Sequence, residues 1–343
     1  MRIAIVSPTW FPVSSKFYGG AEAVVGLLAD GLAAAGHDVT LFAAGGSATT
    51  ADLVATFTEA PSDRIGTTMA ELLHALVAFE RAADFDIIND HSGPLAAALG
   101  CSTPTPVVHT VHTSLAGAYR LVYEKLDGIV DELNLVSLSA SQQEQAPHLP
   151  WTGKCRNAVD LDVHQSGACK GDYLLFFSRI SPQKGPRQAI EVVRAASLPL
   201  KLAGKLRHPN ERRFFEQEVE PLLGDGVEYL GEVSRDQKVA LMQGARALLF
   251  PIEWSEPFGL IMIESMACGT PVLATRRGAV PEVIADGRTG MIVDEYRDMV
   301  DALDNVLRLD AEDCVSHVAQ NFTVEQMVRD YEGVYANILQ SRP

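Results

Sequence analysis

The chain has 343 residues, 47% of them apolar, and a formal net charge of 28 − 44 = −16. Single cores stop growing near about 250–300 residues, so this length predicts two domains. The acidity argues against a general nucleic-acid or anionic-membrane surface, so any phosphate must be met by a few placed cations. Five cysteines show no C-x-x-C spacing, which fits reduced thiols and a cytoplasmic protein. Met1-Arg2 leads straight into a strand without a secretory h-region, and no apolar run approaches ~20 residues, so neither a signal peptide nor a spanning helix is expected.

Ile3-Ala4-Ile5-Val6 reads as a first buried strand, ending near Ser7. A proline- and aromatic-rich loop over 8–18 follows. Gly19-Gly20-Ala21-Glu22 then opens a helix in which Val24, Val25, Leu28, Leu32 and Ala35 keep helical spacing. Gly36 closes it, and Val39-Thr40-Leu41-Phe42 is the next strand. Strand, glycine turn, helix and strand make a βαβ unit of a parallel sheet. G-x-G-x-x-G is absent, which argues against a dinucleotide-binding oxidoreductase. The missing side chains at Gly19 and Gly20 suit a tight turn and, equally, close approach of a ligand phosphate or sugar.

A helix is predicted over 68–82, with Met69, Leu72, Leu73, Leu76 and Phe79 facing inward. Strands are predicted over 86–89, 107–112 and 133–138. His91 and His112 then fall at carboxyl ends of strands, where open α/β sheets bind ligands. His109 and His112 lie three apart and face opposite sides of a strand, so a metal pair there is not expected. The triplets Asp84-Phe85-Asp86 and Asp160-Leu161-Asp162 arise readily by chance in an acidic chain and carry little weight for a metal. Between 142 and 151 the composition turns polar, which reads as the approach to a linker.

The second domain is expected from near Gly171. A strand over 173–177 leads into a loop carrying Arg179 and Lys184; guanidinium can grip phosphate oxygens bidentately, and ammonium supplies a point charge. Strands over 200–202 and 227–230 alternate with helices over 186–196 and 211–223. After a strand over 247–250 comes Ser255-Glu256-Pro257-Phe258-Gly259, turning into a helix that runs from Gly259 to Ala267 and stops at Gly269. Glu256 lies in the loop, and Glu264 about two turns along the helix on a similar face. The amides of Phe258, Gly259 and Leu260 point out of the helix start toward any anion. Two glutamates at that spacing equally suit a solvated helix face. Trp254 beside them is a stacking platform or a wall. A strand over 291–293, a helix over 298–309 and an amphipathic helix over 324–339 complete the chain.

Glu256 and Glu264 resemble the E-x7-E motif of family 4 glycosyltransferases, which are retaining enzymes of the GT-B fold. Glu264-Ser265-Met266-Ala267-Cys268-Gly269-Thr270-Pro271-Val272 and Gly278-Ala279-Val280-Pro281-Glu282 strengthen the likeness, although Ala279 replaces a usual glycine. Ser178-Arg179-Ile180 through Lys184-Gly185 is similar to the family's G-R-(L/I)…K-G, with Ser178 for glycine. Arg156-Asn157-Ala158-Val159-Asp160 is similar to N-G-V-D, with Ala158 for glycine.

The resemblance implies an α/β GT-B architecture: two Rossmann-like, doubly wound parallel-sheet domains facing a cleft. Residues 1–165 with a returning 322–343 would form the acceptor-side domain, and 166–321 the nucleotide-sugar domain. It implies transfer of a sugar from a UDP- or dTDP-sugar to a hydroxyl of a small-molecule, natural-product or oligosaccharide acceptor, with neither metal nor cofactor. Arg179, Lys184, Phe258, Gly259 and Leu260 would hold the diphosphate, Glu264 the ribose and Glu256 the sugar. Val233, after Gly231-Glu232, would lie near the base, Gly19 and Gly20 near phosphate and acceptor, and His112 near the transferred sugar. A nucleotide-sugar epimerase of the same fold, or a non-catalytic nucleotide-sugar-binding module, remains the alternative.

Overall fold

A computed structural model describes residues 1–13, 19–100, 102–130, 132–167 and 170–341. Cys101, Cys169 and part of the 8–18 loop lie outside them. The chain divides into two compact units, Met1–Ala158 with Val324–Pro343, and Val159–Thr323.

Unit 1 runs β1 (Arg2–Val6), α1 (Gly20–Ala34), β2 (Asp38–Ala43), β3 (Asp52–Ala55), α2 (Thr68–Phe79), β4 (Ile87–Asp90), α3 (Pro94–Gly100), β5 (Val107–Thr110), α4 (Ala118–Asp127), β6 (Asn134–Ser137), α5 (Ala140–Gln145) and β7 (Trp151–Lys154). Its seven strands are parallel, in the order β3-β2-β1-β4-β5-β6-β7. Ile3, Ala4, Ile5 and Val6 are all buried, as a central strand covered on both faces requires. Val6 registers with Phe42 on one side and Asp90 on the other, so the residues after β1, β4 and β5 share one edge.

Three features of this unit depart from the sequence expectation. The edge strand β3 was not anticipated, because its exposed Asp52 and Leu53 carry no buried pattern. The polar stretch near 142 is a folded element and not a linker. Ser139 caps α5 by accepting from the Gln142 amide at 3.2 Å, and buried Gln142 Nε2 donates to the carbonyls of Val111 and Thr113 at 2.8 Å each.

The third departure is the face of α2. Ala70, His74, Ala75 and Ala78 are buried, whereas Met69 is 73% exposed and Leu73 and Leu76 are also exposed. A polar anchor and small residues select this face over the larger apolar one. His74 Nε2 bonds the Ser7 carbonyl oxygen at 2.9 Å and its Nδ1 bonds Thr56 Oγ1 at 2.7 Å, while the alanines allow close packing.

Unit 2 runs β8 (Leu174–Phe177), α6 (Pro186–Ala196), β9 (Leu200–Ala203), α7 (Pro209–Phe214), β10 (Val227–Tyr229), α8 (Arg235–Gly244), β11 (Leu248–Phe250), α9 (Leu260–Ala267), β12 (Val272–Thr275), α10 (Val280–Val283), β13 (Gly290–Val293), α11 (Met299–Val306) and α12 (Ala311–Asn321). Six parallel strands lie in the order β10-β9-β8-β11-β12-β13. Strand order reverses between β8 and β11, the switch point at which such sheets take ligands. The helix expected over 211–223 breaks up: α7 passes into a π turn, Phe215–Val219, and a 3₁₀ turn, Glu220–Leu222, because Pro221 has no amide to continue the ladder.

The chain returns to unit 1 as α13 (Val324–Gln340), burying Met327, Val328, Tyr331, Val334, Tyr335 and Ile338. Asn89 donates to the Tyr335 hydroxyl at 2.7 Å, and Thr110 and Tyr331 hydroxyls lie 3.1 Å apart. Among the described residues no helix is long and apolar enough to cross a membrane.

Candidate functional site

At the carboxyl edge of unit 2's sheet, the loop after β8 carries Arg179 and Lys184, and the loop after β11 carries Trp254 and Glu256. Lys184 Nζ lies 2.5 Å from Glu256 Oε2, both side chains being close to nine-tenths buried. Trp254 Nε1 donates to the same oxygen at 2.8 Å, and Lys184 Nζ sits 4.5 Å from the Trp254 ring centroid. Trp254 is therefore neither a free stacking platform nor a passive wall: it holds Glu256. Burial lowers the Lys184 ammonium below its ordinary range, against the opposing pull of Glu256. Arg179 is 54% exposed and only loosely tied, 3.5 Å from Glu211 Oε1, so its guanidinium is free to swing onto a ligand.

The helix α9 begins one residue beyond Glu256-Pro257-Phe258-Gly259. Gly259 has φ +83°, which a side chain would strain, and a Cβ there would strike Met262. Among the described residues no backbone carbonyl accepts from the amides of Phe258, Gly259 or Leu260. Gly278, at φ +56°, lies against the backbone of Glu256, where any Cβ would collide with its N and O. Ala279, the departure from the family pattern, sits at φ −75° and needs no glycine; its amide donates to the Glu256 carbonyl at 2.9 Å.

Glu264 does lie on α9, but not on an open face. Lys238 Nζ of α8 is 2.6 Å from Glu264 Oε1, and His164 Nε2 is 3.9 Å away. Burial raises the Glu264 carboxyl, yet Lys238, His164 and Arg235 together pull it below its usual value. Arg235 also faces Asp160 at 3.6 Å, so the second D-x-D triplet holds a structural ion pair. Lys238 and His164 were not singled out in the sequence; both sit in polar stretches that read as solvated. Val233, half-buried, follows β10 just before Ser234 caps α8. Among the described residues no group of three or more His, Cys, Asp or Glu side chains converges as a metal site.

Unit 1 gathers its own polar cluster after β4 and β5. His109 Nδ1 meets Asp90 Oδ2 at 2.5 Å, and its Nε2 meets the Tyr123 hydroxyl at 2.7 Å. His112 turns the other way: its Nε2 lies 2.8 Å from His91 Nδ1. Burial, followed by neighbouring His109, holds the His112 imidazole down to about 4; burial, followed by His112, drives His91 well below its ordinary value. Gly19 is the extended N-cap of α1, and a Cβ there would strike the carboxylate of buried Glu22, so its missing side chain makes room for the helix's own glutamate. Gly20 is the exposed first residue of α1.

Residues 164–320 match the family model described as "Glycosyl transferases group 1", and residues 18–135 match "Glycosyltransferase Family 4". With two Rossmann-like parallel-sheet domains and these matches in both units, the chain is a glycosyltransferase of GT-B architecture. It is 29% identical over 284 residues to a D-inositol 3-phosphate glycosyltransferase of Arthrobacter sp. (strain FB24), which covers 69% of this chain and 67% of the relative. A phosphatidyl-myo-inositol mannosyltransferase of Mycolicibacterium smegmatis is 28% identical over 90% of this chain and 86% of its own. Across the inositol 3-phosphate enzymes, the chain spans between 39% and 67% of the relative's length.

Among solved structures, AviGT4, a glycosyltransferase involved in avilamycin A biosynthesis, superposes with a TM-score of 0.76 at 23% identity, covering 99% of this chain and 98% of its own. Anabaena HepE in complex with UDP and glucose superposes with a TM-score of 0.75 at 18% identity over the whole of both chains. At these identities the likeness establishes the fold.

Proposed function

We propose that the protein is a retaining glycosyltransferase that moves a sugar from a nucleoside-diphosphate donor, a UDP- or dTDP-sugar, to a hydroxyl of a small-molecule or oligosaccharide acceptor without a metal. One observation carries this reading. In unit 2, Glu256 and Glu264, each held in a largely buried ion pair by Lys184 and Lys238, flank in sequence the amides of Phe258, Gly259 and Leu260, for which no backbone carbonyl acceptor is found among the described residues. Arg179, Lys184 and those amides neutralise the diphosphate, lowering the barrier to its departure where charge develops. Lys184 exchanges Glu256 for phosphate as the donor arrives, which releases Glu256 for the sugar hydroxyls. Glu264, anionic and fixed by Lys238, accepts from the ribose hydroxyls, and Val233 lies beside the base. From unit 1, His112 contacts the transferred sugar, and Gly19 and Gly20 leave space at the start of α1. Retention follows from departure and attack on one face of the sugar, with the leaving phosphate taking the acceptor's proton.

The UDP and UDP-glucose named in the HepE structures support a uridine nucleotide. The curated relatives favour an inositol or inositol-phosphate acceptor, and the likeness to AviGT4 favours an antibiotic-pathway acceptor. Both offer the hydroxyl that the reading requires.

The roles separate in a calorimetric and kinetic test with UDP, uridine and UDP-glucose. Glu264→Gln is expected to weaken UDP binding roughly tenfold or more, as loss of a charged hydrogen-bond acceptor does. Glu256→Gln is expected to lower turnover far more than UDP affinity. Arg179→Ala is expected to weaken UDP much more than uridine. Negligible effects at both glutamates, or equal losses for UDP and uridine at Arg179, would overturn the assignment.

A further inference from the structure

Burial decides more about His112 than its charge. His91, from the end of β4, is 2% exposed, and its Nε2 is enclosed without a hydrogen-bond partner among the described residues. Its Nδ1 lies 2.8 Å from His112 Nε2, and the two rings are tilted by 37° with centroids 5.1 Å apart. Between two neutral imidazoles one nitrogen donates and the other accepts. Were His91 to carry its proton on Nε2, an N–H donor would be buried with nothing to receive it, and orphaned buried N–H groups are the rarest and costliest defect of a folded chain. The lower-energy arrangement puts the proton on His91 Nδ1, donating to His112 Nε2. His112 must then carry its own proton on Nδ1, on a half-buried ring whose Nδ1 has no partner among the described residues. We infer that His91 is a positioning residue: it fixes His112 as the Nδ1–H tautomer and thereby makes it a neutral hydrogen-bond donor toward an oxygen of the bound sugar.

The surroundings agree. The next layer holds a third histidine against a carboxylate: His109 Nδ1 lies 2.5 Å from Asp90 Oδ2, and its Nε2 lies 2.7 Å from the Tyr123 hydroxyl. Tyr331 of α13 lies against His91 with ring centroids 5.9 Å apart, and His74 of α2 bonds the Ser7 carbonyl oxygen. Among the described residues, the charged or titratable groups that face the pair are Asp90, His109 and Tyr331. Asp90 is already engaged by His109 and by the amide and hydroxyl of Ser92. Both imidazoles of the pair stay neutral at physiological pH, so the donor is N–H of imidazole and not of imidazolium.

This inference rests on the reading of His112 as a sugar contact, and two measurements keep the two apart. Nitrogen-15 NMR of the histidine-labelled full chain at pH 7 reports the tautomer directly. His112 and His91 are both expected to show a protonated, pyrrole-type Nδ1 and a bare, pyridine-type Nε2. A protonated Nε2 on His112 overturns the inference. Kinetics with UDP-glucose, followed by UDP release, report the role. His91→Leu is expected to lower kcat roughly tenfold, the size of one hydrogen bond. His91→Asn, whose amide N–H replaces the Nδ1–H donor, is expected to recover most of it although it leaves a similar gap in the core.

On the ring itself, His112→Asn keeps a donor near the Nδ1 position and is expected to outperform His112→Gln, which places its amide near Nε2. A His91→Leu protein that folds, keeps the Nδ1–H signal and keeps its kcat overturns the positioning role. The predicted tautomer together with a fully active His112→Gln removes the sugar contact, and the role of His91 with it.

Discussion

Lys184, Glu256, Lys238 and Glu264 stand or fall in pairs. A buried ion pair gains little over an apolar pair of equal volume, but removing one partner strands a charge at a cost of about 3–5 kcal/mol. Lys238→Met is therefore expected to destabilise the fold by about 3 kcal/mol in urea unfolding at pH 7, and to weaken UDP binding as well, because Glu264 then gains proton affinity. The sign follows from its depressed value. Wild-type Glu264 adds stability above the ordinary carboxylate range and loses it as pH falls through its lowered folded value. In Lys238→Met that acid-dependent part is expected to shrink. Equal stability of mutant and wild type at pH 7 would show that the pair carries no such charge. Arg179, Lys184, Glu256 and Glu264 were legible in the sequence because each follows a recognisable strand or helix start. Lys238 and His164 were not: a lysine in a polar helix reads as solvated, and only the packing of α8 beside α9 turns it inward. Trp254 was visible as a candidate, but its indole N–H contact to Glu256 depends on loop geometry that residue order does not encode.

The elements were legible where apolar periodicity or a turn signal was strong. β1, β2, α1, β8, α6 and α13 fall within a residue or two of their predicted ranges. α2 shows the limit, for its larger apolar residues line one face while His74 and three alanines decide which face is buried. α5, α8 and α12 are polar helices held by caps, from Ser139, Ser234 and Asp310, whose side chains compete with loop readings until the tertiary partners are known. The turn between β11 and α9 makes a sharper demand. Gly278, which precedes α10, is packed against the Glu256 backbone, so Gly278→Ala must push that loop away as well as strain a φ of +56°. It is expected to cost on the order of 1–3 kcal/mol of stability and to lower UDP-glucose turnover, since Glu256 and the Phe258–Leu260 amides move together. Ala279→Gly, one residue on, is expected to leave turnover close to wild type, because Ala279 already holds an ordinary helical conformation. If both variants turn over UDP-glucose at the wild-type rate, the loop is not under this constraint.

Across the whole molecule, buried histidines are distributed unevenly, and this sets how the two units respond to acid. Unit 1 holds the buried His74 and His91 and the half-buried His112, all lowered below 6.5 chiefly by burial; among the described residues of unit 2 only His164 is so lowered, again chiefly by burial. A histidine whose folded value is depressed binds its proton in the unfolded chain first, so stability falls as pH drops from 6.5 toward the folded value. For His112, between 6.5 and about 4, the loss amounts to roughly 3 kcal/mol. His91 adds to it, though not additively, because the two rings share one hydrogen bond. Unit 1 is thus expected to lose stability well before unit 2 between pH 6.5 and 4. The tryptophans separate the signals, since Trp10 and Trp151 lie in unit 1 and Trp254 in unit 2. Urea unfolding of Trp254→Phe, followed by fluorescence at pH 7 and pH 5, reports unit 1 alone and is expected to show a clear fall in midpoint. The double variant Trp10→Phe with Trp151→Phe reports unit 2 and is expected to show a smaller one. Equal falls in the two would mean that the units unfold as a single cooperative block, and a midpoint for unit 1 that does not move would mean that its histidines are protonated inside the fold.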